Sequence, residues 1–89
     1  MATTLDPDAV RRRVDAARDA FHQGQPHRAA QRYASLRKRL ATGYRDQPQL
    51  GFDYARVLFG LAASTFELSG ELDGSMALLE EAERVATAH

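Results

Sequence analysis

The chain has 89 residues, balances 12 Lys and Arg against 12 Asp and Glu, and contains neither Cys nor Trp. That length holds one domain with a thin core, which buries about 60–65% of its unfolded surface. The absence of Cys excludes a disulfide framework, a thiol nucleophile, a thiol redox pair and a Cys-ligated zinc, while a hydrophobic content of 44% is that of a folded protein.

The first segment carries Val10, Val14, Ala17 and Phe21 at spacings of 4, 3 and 4, an apolar stripe on one face of a helix. Asp6 before Pro7 supplies an N-cap and a proline in the first turn, where its missing N–H costs nothing. Gly24 stops this helix near Gln23, and Gln25-Pro26 starts the next. Ala29, Tyr33, Leu36 and Leu40 repeat the 4, 3, 4 spacing, with Gly43 as the expected C-terminal cap. Tyr44 to Gln47 reads as a linker, with a third helix from about Pro48 or Gly51 to Ser69, ended by Gly70. Its apolar residues, Leu50, Tyr54, Val57, Leu58, Phe59, Leu61 and Phe66 among them, cover more than one face, as in a helix held between neighbours. A fourth helix starts near Leu72 to Ser75 and turns Leu78, Leu79, Ala82, Val85 and Ala86 inward. The expectation is an all-α chain of two antiparallel helical hairpins, about 7–43 and about 48–88.

The turn glycines align the two hairpins. Ala29, Tyr33 and Leu36 stand five, nine and twelve residues after Gly24; Ser75, Leu79 and Ala82 stand at the same offsets after Gly70. Phe66, Ala63 and Phe59 precede Gly70 by four, seven and eleven residues, where the first hairpin has Ala20, Ala17 and Arg13 before Gly24. This succession of aromatic, small, aromatic, glycine turn, small, large apolar and small residues resembles the tetratricopeptide repeat over nearly the whole chain. The second unit matches it well. The first departs at Arg13, where the family has a large aromatic, and at Leu36, where it has Ala. The glycine-to-glycine distance of 46 residues exceeds the usual period of about 34, which makes the unit similar to the long repeats of bacterial signalling ATPases and transcriptional regulators. On packing pattern alone, a plain four-helix bundle is the alternative.

The resemblance implies a module that binds a protein or peptide in a groove lined by the first helix of each pair. Carried onto this chain, that groove presents Arg11, Val14, Arg18, Phe21 and His22 from helix one, with Val57, Leu61, Ser64 and Glu67 from helix three. Arg11 and Arg18 would grip a carboxylate through their guanidinium forks, or form a solvated face. The Lys and Asn of the family's peptide-carboxylate clamp are missing here. Two repeats also leave one end without a neighbour, and the polar Glu80, Glu81 and Arg84 of helix four place that open end at helix one or along the groove.

Charge is unevenly spread. Residues 1–45 hold ten cations and four acids, a net of +6, and residues 46–89 hold two cations and eight acids, a net of −6. The two hairpins either complement one another within one molecule or bring two copies together head to tail or about a two-fold axis. Nucleic acid is disfavoured, since the basic hairpin has only Phe21 and Tyr33 as aromatics, both at inward positions. His22 and His27 flank the first turn without a third ligand, so no metal site is expected. Asp15 and Asp19 read as surface ion pairs among arginines. With no nucleophile elbow, phosphate loop or His-Glu-x-x-His motif, neither catalytic residues nor a cofactor is expected.

The N-terminus lacks a basic stretch followed by an apolar one, and the longest uncharged apolar stretch, Val57 to Phe66, is about half of what a bilayer requires. Eleven Arg to one Lys, with no Asn and no Ile, resembles coding in a GC-rich bacterial genome. The chain is therefore read as a cytoplasmic bacterial interaction module without a membrane partner. The alternative is the N-terminal capping or regulatory fragment of a longer array.

Overall fold

The structure, a computed structural model, describes residues 5–88; Met1 to Thr4 and the terminal His89 lie outside the described residues. Four helices follow one another, α1 (Pro7–His22), α2 (Pro26–Asp46), α3 (Gly51–Ser69) and α4 (Leu72–Ala88), with one 3-10 turn at Pro48–Leu50 before α3 and no strand among the described residues. The fold is all-α.

The ends of the helices follow from local chemistry. Asp6 has extended backbone and its carboxylate accepts a hydrogen bond from the Asp8 N–H, with Pro7 in the first turn. At the other end of α1, the Gln25 N–H reaches the Ala20 carbonyl and the Gly24 N–H reaches that of Phe21, at 2.9 and 3.1 Å. This double closure needs a left-handed residue, which Gly24 provides at φ 77°. Gly70 ends α3 in the same conformation at φ 70°. Gly43 behaves differently from the sequence expectation. It keeps a right-handed backbone beneath the side chain of Leu5, and α2 continues to Asp46. The expected linker thus shrinks to Gln47 and the 3-10 turn. Gln47 ties that junction to the start of α1, because its side-chain amide accepts from the Leu5 N–H and donates to the Leu5 carbonyl, both at 2.8 Å.

The core is formed by Val10, Val14, Ala17 and Ala20 of α1, Ala29, Tyr33, Leu36 and Leu40 of α2, and Leu50, Tyr54, Val57 and Leu58 around α3, closed by Ala82 and Val85 of α4. α1 packs on α2, α2 on α3 and α3 on α4, with a lesser contact between α1 and α3; α1 and α4 do not form a packed pair. Two close approaches hold this order. Tyr33 lays the tip of its ring on Gly60, where any Cβ would overlap it. Ser75, buried in α4, donates its hydroxyl to the Ala62 carbonyl of α3 at 3.0 Å. Tyr44 stacks on Tyr54 at a centroid distance of 4.9 Å and joins α2 to α3.

Candidate functional site

α3 turns Leu58, Val57 and Tyr54 into the core, yet Phe52, Phe59 and Phe66 are 71%, 50% and 45% exposed. Spaced seven residues apart, they share one face of the helix with exposed Ala63. On α4, Leu72 and Met76 are 58% and 44% exposed, and half-buried Leu79 continues their stripe at helical spacing. The hairpin is antiparallel and meets through Ala62 and Ser75, and α2 lies on one side of it, marked by the Arg37–Glu81 ion pair at 3.2 Å. Helical geometry sets both apolar stripes on the opposite side, where they merge into one face.

That face has a counterpart. Positions 46 residues earlier are Ala17, Ala20, Tyr33 and Leu40, all buried; their second-hairpin mates Ala63, Phe66 and Ala86 are exposed and Leu79 is half-buried. Tyr33 is covered by Gly60 of α3. The first hairpin therefore has a helix against a surface that the second hairpin leaves open. The open face is rimmed by exposed acids, Glu67, Asp73, Glu80 and Glu83.

The groove expected from helix one does not come together as a set. Val14 and Ser64 are buried, as is Val57, so none of them presents a binding surface. α3 lies against these positions as core, which leaves Phe21 and Leu61 half-buried beside it. Arg11, Arg18, His22 and Glu67 are exposed. Arg18 is held by its own helix, at 3.9 Å from Asp15 and 3.5 Å from Asp19, and His22 meets Phe21 edge to face at 5.8 Å. His27 instead contacts Gln31 at 3.3 Å, and among the described residues no three His, Asp or Glu side chains converge. The open end also needs correcting. Helix one carries a charged outer side, whereas the apolar surface lies on α3 and α4, with Ala86 turned outward and not inward.

The two halves of opposite charge touch through two exchanged pairs. Arg56 of the acidic hairpin reaches Asp15 of α1 at 2.8 Å and the buried Asp53 of its own helix at 3.6 Å, and Arg37 of the basic hairpin reaches Glu81. The hydrogen bond from Arg56, with the nearby charges of Arg56, Arg18 and Arg11, holds the Asp15 carboxyl below the usual carboxylate range against the opposing effect of desolvation. A depressed carboxylate pKa stabilises the fold above the unfolded value, and that contribution disappears as pH falls through the folded one. Arg56→Met should therefore lower the thermal midpoint at pH 7, with the gap from the parent narrowing towards pH 3 in melts followed by circular dichroism. A gap that stays constant with pH would assign the loss to packing alone.

Phe52, Leu72 and Met76 were not legible as site residues in the sequence. The available signal was the repeat itself, in which Phe59 and Phe66 occupy places held by Arg13 and Ala20 in the first hairpin. No helix among the described residues is long and apolar enough to cross a membrane. No protein-family model, curated protein or solved structure matches the chain.

Proposed function

We propose that this chain is a cytoplasmic protein–protein interaction module of tetratricopeptide type, and that the outer face of α3 and α4 seats an amphipathic helix of a partner. One observation carries the reading: an uncovered apolar face stands on the second hairpin where the first hairpin is covered by α3. Contiguous exposed apolar surface rimmed by polar residues is the mark of an interaction site, and a helix laid on such a face is a common recognition mode. The sequential packing of helices, with α1 and α4 apart, supports stacked hairpins over a closed bundle. Arg11, Arg12 and Arg18 on the outer side of helix one also favour a second reading, in which that helix caps a longer array whose next hairpin occupies the same face.

The chain itself supplies the probe. A peptide of residues 48–70, the helix that covers the first hairpin, should bind the protein with a Kd on the order of 10 μM by calorimetry. Phe59→Glu combined with Phe66→Glu should weaken binding at least about 100-fold, since it places charge within an apolar contact. Arg11→Glu combined with Arg18→Glu should leave it unchanged. No saturable binding, or loss only with the arginine pair, would reject the assignment of this face.

A further inference from the structure

An open seam of about 570 Å³ runs between α1 and α2, with Ala9, Ala16 and Leu36 among its lining residues and Arg12, Arg13 and Arg32 along its walls. It continues towards Leu5 and Arg39. All four arginines are exposed, and none pairs with a carboxylate among the described residues. A seam with apolar floor and guanidinium walls fits an amphipathic helix with an apolar stripe and acidic flanks.

The same chain presents such a helix. α4 exposes Leu72 and Met76, continues them with Leu79, and flanks them with exposed Glu80 and Glu83. We infer that the occupant of the seam is α4 of a second copy of this chain. The inference rests on the interaction-module reading above and names the partner. Charge selects this contact over others: two acidic α3–α4 faces would repel on meeting, whereas the basic seam and acidic helix attract and start from equal concentrations. The seam lies on α1 and α2 and the exposed stripe on α4 at the other end of the helix order, so the contact is head to tail and repeats from one copy to the next. The attraction depends on ionic strength, because exposed charges are screened over about 10 Å at 0.1 M salt.

Sedimentation equilibrium tests it on the full chain. Self-association is expected at micromolar protein in 20 mM salt and at least about tenfold weaker in 500 mM salt. Arg13→Glu with Arg32→Glu reverses the seam; Glu80→Arg with Glu83→Arg reverses the helix; each variant alone should be monomeric. An equimolar mixture of the two should associate again, because each reversed surface meets its opposite and each native surface keeps a native partner. All four positions are exposed, and restoration in the mixture also shows that both variants are folded. A parent chain monomeric at about 1 mM in low salt, a seam variant that associates like the parent, or a mixture that stays monomeric overturns the inference. Titration of the 48–70 peptide separates the two proposals: peptide binding by a monomeric parent chain leaves the interaction face standing and removes only self-association.

Discussion

Replacing Gly60 by alanine is expected to destabilise the chain by about 1–3 kcal/mol, a fall of about 5–20 °C in the thermal midpoint of a domain this small. The cost comes from one contact. A Cβ at position 60 overlaps Cζ and both Cε atoms of Tyr33, whose rigid ring is 4% exposed and hemmed in by the core. Burial also pushes the Tyr33 phenol pKa up, so the ring remains neutral through the pH range in which the melts are run. The ring cannot retreat without opening the packing of α2 on α3. Shortening the obstructing side chain should reverse part of the loss: Tyr33→Leu costs less in the Gly60→Ala background than in the parent. A double-mutant cycle by urea denaturation reads that coupling directly. Strictly additive losses would mean that the two residues do not meet in solution.

The second large effect contrasts neighbours. Leu58 is fully buried and Phe59 is half exposed on the outer face. Leu58→Ala should cost about 2–5 kcal/mol through lost burial and a residual cavity, a large share of the roughly 5–10 kcal/mol that a domain of this size has in total. Phe59→Ala, although it removes the larger side chain, should cost under about 1 kcal/mol. Urea midpoints of the two single variants decide the matter. Equal losses would place Phe59 in the core and remove the open face from the account.

These contrasts show where sequence reasoning reached. Each of the first two helices has one covered face, so its stripe can be read from spacing: Ala29, Tyr33, Leu36 and Leu40 are all buried as that spacing expects. α3 is harder because its apolar residues spread over more than one face. Such breadth fits a helix covered on all sides and equally a helix with one side left for a partner, and only the position of α4 separates these. The reading therefore grouped Phe59 and Phe66 with the core. Gly43 misled for a related reason, since glycine ends a helix only where its φ turns positive, and here Leu5 packs against a continuing α2. The expected groove failed at Val14 and Ser64 because the position of a residue in a repeat does not say how closely the next helix approaches it. Charge was legible in amount and in distribution along the chain. What was reversed is the open end that the polar Glu80, Glu81 and Arg84 of helix four placed at helix one: the exposed apolar surface lies on α3 and α4.

The most direct test of the central claim is a residue-resolved map of where a helix binds. Titrating the 48–70 peptide into isotopically labelled protein and following amide and methyl NMR shifts should move resonances of Phe59, Ala63, Phe66, Met76 and Leu79 as one saturable set, with Arg11, Arg18 and His22 unchanged. Shifts centred on Arg11, Arg18 and His22, with the α3–α4 face silent, would contradict it.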